Sequence, residues 1–136
     1  MDVSPTADYP LGARRPELVS TPGGLPLAEV TLENARAGRL AAADLRASAE
    51  TLLRQAAVAR AAGRAQLADN LERAAELAGV AEDELLAIYT ALRPRRATAE
   101  ELERWAARLD GQGAVRTAAF VREASAAYAE RGLLAG

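Results

Sequence analysis

Two acidic runs and one basic run in this sequence are spaced as if for chemistry. Glu82-Asp83-Glu84 and Glu100-Glu101, with Glu103, bring carboxylates close together. Paired carboxylates do acid and base work only when one of them is buried and its pKa raised. Both runs stand where a helix is expected to begin. There, the positive end of the helix dipole and the unpaired N–H groups already account for them, so the structural reading is the stronger one. Arg93-Pro94-Arg95-Arg96 has the residue types to clamp a phosphate or a carboxylate. Arginines at a helix C-terminus also answer the dipole, and a solvated cap or a salt-bridged interface corner is preferred to an anion site. Gly23-Gly24 has no strand before it and no helix immediately after, so it reads as a turn and not as a phosphate loop.

The residue types that are missing exclude more than the candidates include. The chain has no Cys, no His and no Lys: all 17 positive charges are Arg. Disulfides, thiolate nucleophiles, imidazole bases and the usual zinc, copper or haem ligands are therefore excluded, as are Schiff bases and P-loops. Those charges are balanced by 19 carboxylates for a net charge of −2, which leaves no broad basic surface for nucleic acid. There is no apolar run near the length of a membrane span. The opening Met1-Asp2-Val3-Ser4-Pro5 is neither basic nor followed by a hydrophobic stretch, and a cytoplasmic protein is expected.

Half of the 136 residues are hydrophobic, but 35 of those are alanine. A buried methyl group contributes about 0.8 kcal/mol against about 1.5–3 kcal/mol for a leucine or valine, so the core is expected to be thin and to gain from burial against a larger partner. Alanine and leucine favour helix, whereas one Ile and seven Val argue against a sheet.

The expected fold is all-α: a small helical domain of four to six helices over residues 29–136, preceded by an extended, proline-rich arm over residues 1–28. The arm holds five of the six prolines, which bias the backbone toward extended or irregular geometry. Tyr9, Leu11, Leu18 and Leu25 are too apolar for a segment meant to stay solvated, so the arm is expected to lie on a neighbouring surface and serve assembly; the other reading is a disordered tail. Thr31 caps a short helix ended by Gly38, and Ser48 caps one running to about Ala62. A third helix runs from about Arg64 to Ala78. Gly79 suits the left-handed position that closes it. A fourth, from about Ala81 to Leu92, carries Leu85, Ile88, Tyr89 and Leu92 on one face expected to be buried, and Pro94 stops it. Thr98-Ala99-Glu100-Glu101 fits a capping box. The helix it opens carries Leu102, Trp105, Ala106 and Leu109 on one side. A last helix from about Ala114 to Arg131 is expected to bury Val115, Ala119, Phe120, Ala124, Ala127 and Tyr128. The aromatic residues are core or interface groups and not a cofactor box.

Four segments, taken in order, resemble one family. They are Asp8-Tyr9-Pro10-Leu11 with Thr31-Leu32-Glu33-Asn34; Asn70 through Leu77 with Leu86-Ala87-Ile88-Tyr89 and Ala91-Leu92-Arg93-Pro94; Thr98 to Leu102; and Ala118-Ala119-Phe120-Val121-Arg122-Glu123-Ala124. This set is similar to the small (gamma) subunit of adenosylcobalamin-dependent diol and glycerol dehydratases, over about residues 8–134. Two departures are mild: Ala81 stands where the family usually has proline, and a lysine-rich tail is missing.

The resemblance implies a complex of large, medium and small subunits, two copies of each, in which the large subunit is a TIM barrel holding the diol and a metal ion. Adenosylcobalamin lies between large and medium subunits, and homolysis of its Co–C bond starts a radical 1,2-shift that converts propane-1,2-diol or glycerol to an aldehyde and water. The small subunit packs on the large one and supplies no catalytic, cofactor or metal residue. The residues expected at that interface are Tyr9, Pro10, Leu11, Tyr89, Arg93, Phe120 and Arg122. Encapsulated relatives look as if they carry an added N-terminal helix; only seven residues precede Asp8, which favours free cytosol over a microcompartment. Two rival readings are a free-standing helical adaptor, which would fold well alone, and a component of a dehydratase-reactivating factor, whose small chain would show α/β alternation.

Overall fold

Helix starts in this chain are written into short local patterns, and the computed structural model, which describes residues 4–136, shows them at work. The helices in order are α1 (Leu11–Arg14), α2 (Leu32–Arg36), α3 (Ala49–Ala61), α4 (Ala65–Leu77), α5 (Glu82–Ala91), α6 (Ala99–Gly111) and α7 (Val115–Arg131). Among the described residues no strand forms; Ser20 and Pro26 make one isolated antiparallel bridge. The fold is all-α. Thr31 Oγ1 accepts from the Asn34 N–H at the start of α2, and Ser48 Oγ from the Thr51 N–H at the start of α3, both at 3.1 Å. At α6 the full capping box closes: Thr98 Oγ1 accepts from Glu101 N–H at 3.2 Å, and the Glu101 carboxylate accepts from Thr98 N–H at 2.9 Å. Thr98→Ala should lower stability by about 0.5–2 kcal/mol. A urea midpoint equal to that of the parent chain would show that water replaces the cap at no cost.

Two expectations about helix ends meet different outcomes. Gly132 adopts the left-handed conformation expected of a helix stop, with φ of 66°. Gly79 does not, because the end of α4 closes through short-range bonds, from Gly79 N–H to Glu76 O and from Val80 N–H to Leu77 O, which require no left-handed residue.

The chain divides into two compact units, one up to Ala75 and one from Glu76 to Gly136. The first contains most of the region expected to run extended. Met1, Asp2 and Val3 lie outside the described residues. The rest of the segment forms α1, two 3-10 turns (Pro16–Leu18 and Leu27–Glu29) and the bridge at Ser20. The prolines explain the difference. A ring that forbids a helix interior presets φ for a first turn, and Pro10 precedes α1 while Pro16 opens the first 3-10 turn. The segment is tied down within its unit. The Arg54 guanidinium on α3 donates to the Leu18 carbonyl. Thr21 is buried; its hydroxyl donates to Asp44 Oδ1 at 2.8 Å and accepts from Leu25 N–H. A third 3-10 turn (Ala42–Leu45) carries that Asp44. The Ala41 N–H, and after it the Thr21 hydroxyl, hold the Asp44 carboxyl below the usual carboxylate range. Behind these ties the core is small: Ala56 and Ala59 of α3 and Ala68 of α4, with Leu71 packed against them.

The second unit holds the larger side chains. Val80, Ile88, Ala97, Leu102, Ala106, Leu109, Ala114, Ala118 and Val121 form one buried cluster, with Leu77, Leu85, Leu92, Trp105 and Leu134 packed on it. The antiparallel pair α6 and α7 is its frame. Two backbone bonds tie the C-terminal residues to the loop before α6: Arg95 N–H to Leu133 O at 2.7 Å, and Ala135 N–H to Ala97 O at 2.9 Å. Tyr128 donates its hydroxyl to Leu92 O at 2.6 Å.

Two expected faces need correction. On α5, Leu85, Ile88 and Leu92 turn inward as expected, but Tyr89 is 60% exposed. On α7 the buried face is Thr117, Ala118 and Val121, while Val115, Ala119 and Phe120 face outward; Ala124, Ala127 and Tyr128 are half-buried. For α7 the physical reason is that Ala106 of α6 and Ala118 of α7 are fully buried, and small residues at a helix contact let the backbones approach, which leaves Phe120 on the outer side.

Candidate functional site

The carboxylates of Glu84, Glu101 and Glu103 are occupied by structure, while Arg93, Arg95 and Arg96 are exposed. Asp83 Oδ1, in the first turn of α5, accepts from the Glu84 N–H at 2.9 Å. The Glu84 carboxylate, on α5, accepts from the Arg108 guanidinium on α6 and from the Gln112 amide at 3.1 Å. Arg108 first, and then Gln112, hold the Glu84 carboxyl below the usual range. Arg122 of α7 reaches back to α6, donating to Glu103 at 2.7 Å and to Asp110 at 2.8 Å. That guanidinium depresses the Glu103 pKa, and the two carboxylates raise that of Arg122. A general acid requires a carboxyl whose pKa is raised toward neutrality, and these two are moved the other way. Glu101 is taken by the capping box. Among the described residues no three carboxylates converge on one point. The Gly23-Gly24 turn closes with Gly24 N–H donating to Thr21 O, and Gly23 lies against Asp44 Oδ1, a negative neighbour that an anion would avoid.

The residues expected at an interface fall into both units. Tyr9 is 60% exposed and Pro10 is exposed, joined by a cis peptide bond, while Leu11 at the start of α1 is half-buried. In the second unit Tyr89 is exposed on the outer side of α5, Arg93 is exposed just beyond that helix, and Phe120 is 43% exposed on α7. Arg122 differs from the other six: its charge is spent on the α6–α7 brace.

Sequence reasoning missed a second feature on α5. Leu86 is 69% exposed, one of the most exposed large apolar side chains in the molecule. With Ala87, Thr90, Ala91, Ala97 and Trp105 it lines a groove of about 890 Å3 between α5 and α6, whose rim carries Asp83, Arg96, Glu101, Arg104 and Arg108. One signal was available. Leu86 lies two residues from Ile88, hence on the opposite side of the helix from the buried face. The first unit likewise leaves Leu32, Leu45 and Leu53 exposed. Among the described residues no helix is long and apolar enough to cross a membrane.

The arrangement offers exposed apolar surface in place of reactive groups, and comparison with known proteins agrees in kind. Residues 4–135 match the family model described as dehydratase small subunit. The propanediol dehydratase small subunit of Salmonella typhimurium is 47% identical over 131 residues, covering 96% of this chain and 76% of that protein. The propanediol dehydratase small subunit of Citrobacter freundii is 48% identical over 130 residues, covering 95% of this chain and 76% of the relative. With the match extending over nearly all of the described residues, the chain belongs to the dehydratase small-subunit family.

Proposed function

We propose that this chain is the non-catalytic small subunit of a coenzyme B12-dependent diol dehydratase, packing on the large catalytic subunit of a complex that also contains a medium subunit, two copies of each. The complex converts propane-1,2-diol or glycerol to an aldehyde and water by a radical route in the cytoplasm. The observation that carries this reading is the family match over residues 4–135, to which the chemistry of the chain adds support. Adenosylcobalamin would supply the radical. This chain has no imidazole or thiolate to ligate cobalt, and its best-placed carboxylates are engaged by arginine, so its residues do not fit a cobalamin or metal site. The cofactor belongs to the other subunits. Contact with the large subunit is assigned to Tyr9, Pro10, Leu11, Tyr89, Arg93 and Phe120, whereas Arg122 serves by bracing α7. The segment 1–28, anchored by Thr21 and Leu18, presents Tyr9 for assembly.

Co-expression with large and medium dehydratase chains tests the reading. The expected result is a three-chain complex that survives size exclusion and dehydrates propane-1,2-diol only with adenosylcobalamin added, while calorimetry on the isolated chain shows no cobalamin binding. A micromolar or tighter cobalamin site on this chain alone, or failure to co-purify, would overturn it.

A further inference from the structure

One helical hairpin occurs twice in this chain, fifty residues apart. Ser48 and Thr98 are the N-caps of α3 and α6, each helix 13 residues long, and each cap accepts from the N–H three residues on. Both hairpins then turn at a left-handed glycine, Gly63 with φ of 75° and Gly113 with φ of 82°. The turns close alike, with Arg64 N–H donating to Ala59 O at 2.8 Å and Ala114 N–H to Leu109 O at 2.9 Å. Buried residues keep the same offset: Ala56 with Ala106, Ala59 with Leu109, and Ala68 with Ala118. Backbone geometry therefore does little to tell the partner of α3 from the partner of α6. One property is inverted. Across the first turn Arg60 donates to Asp69 and to Glu72, each at 2.9 Å. Across the second, Arg122 donates to Glu103 at 2.7 Å and to Asp110 at 2.8 Å. Arg60 and Asp110 hold corresponding positions, as do Glu72 and Arg122, so one ion pair stands at the same register in both hairpins with its charges exchanged. Stability alone would favour the first polarity in both. Arg60 lies in the last turn of α3, where the helix dipole favours a cation, whereas the dipole opposes Asp110 in the last turn of α6.

We propose that the opposite polarity of the two braces directs each helix to its own partner as the chain folds, α3 to α4 and α6 to α7. A crossed pairing of α3 with α7 would set Arg60 against Arg122, and one of α4 with α6 would set Glu72 against Asp110. Both crossed pairs are like-charged. Exposed ion pairs add little to the stability of a finished fold. They count for more in a choice between arrangements of similar shape, where repulsion in the wrong one adds to attraction in the right one.

The test uses the full chain, which has no cysteine of its own. Nitroxide spin labels at Ala107→Cys on α6 and Ala126→Cys on α7, both exposed positions, report how that pair is arranged. Each chain is unfolded in urea and refolded, and its label-to-label distances are read by pulsed electron resonance. The labelled parent chain should give a single distance. Glu103→Arg, Asp110→Arg and Arg122→Glu together keep a brace in the second hairpin but give it the polarity of the first, which makes both crossed pairings attractive, so a second distance should appear. Glu103→Gln, Asp110→Asn and Arg122→Gln remove the brace without favouring a crossed pair, and their second population should be smaller by about threefold or more. A brace that served stability alone predicts the opposite order, because the neutral chain is the one that loses it. Adding Arg60→Glu, Asp69→Arg and Glu72→Arg to the reversed chain makes the crossed pairs like-charged again and should return the single distance. Circular dichroism follows helicity throughout. If the reversed chain loses its helices while the neutral one keeps them, recovery in the doubly reversed chain supports the proposal and no recovery overturns it. One distance in every chain, a neutral chain at least as heterogeneous as the reversed one, or a second distance that persists with both braces reversed would also overturn it.

Discussion

Replacing Leu109 with alanine should destabilise the second unit by about 2–5 kcal/mol, the range for truncating a leucine in a filled core. Leu109 is fully buried on α6 beside Leu102 and Val121, and these three are the largest side chains so completely enclosed. Most of the other members of that cluster are alanines and cannot grow to fill the space. Collapse around the cavity is also limited, because the α6–α7 pair is held at its exposed edge by Arg122 with Glu103 and Asp110. The result belongs at the upper half of the range. Urea unfolding followed by Trp105 fluorescence measures it, since Trp105 packs on the same cluster. Leu86→Ala serves as the contrast: an exposed leucine on the neighbouring helix should shift stability by no more than about 0.5 kcal/mol. Equal midpoints for the two variants would show that the buried cluster is misassigned.

Glu76→Ala should cost about 1.5–3 kcal/mol, as expected for losing hydrogen bonds to a charged group. The N-cap of α7 is Ala114, which has no side chain able to cap the helix. Glu76, near the end of α4, supplies the missing acceptors. One carboxylate oxygen accepts from Arg116 N–H at 3.0 Å; the other accepts from Thr117 N–H at 2.8 Å and from the Thr117 hydroxyl at 2.7 Å. A negative charge at this end of the helix also opposes the positive end of its dipole. Glu76→Gln keeps an acceptor but no charge, so it should fall between the parent chain and Glu76→Ala. Native-state hydrogen exchange gives the discriminating readout, with amides 116 and 117 losing protection first. Unchanged protection at those two amides in Glu76→Ala would mean that solvent caps α7 equally well.

The helices themselves were legible in the sequence. Thr31, Ser48 and Thr98 cap through bonds to N–H groups three residues away, so each start is encoded within one turn of chain and needs no partner. The inward sides of α5 and α6 were also readable wherever a leucine or isoleucine marked them, as at Leu102, Leu109 and Ile88. The absence of reactive side chains and the order of the family's segments were fixed by residue identity alone.

What escaped the sequence depended on contacts distant along the chain. With 35 alanines, the hydrophobic pattern of α7 is nearly the same on several faces, and only packing against α6 turned Ala118 and Val121 inward and Phe120 outward. The Glu76 cap links residues about forty positions apart, and the Arg122 brace joins two helices across a turn. The prolines of the first segment carried information about φ but none about Arg54 or Asp44, whose bonds to Leu18 and Thr21 hold that segment against its unit. The groove beside Leu86 exists only because α5 and α6 lie side by side. Local hydrogen bonding determined where α2, α3 and α6 start. Which side of each helix is spent on the core, and which is left for a partner, was decided by how closely small residues let the helices approach.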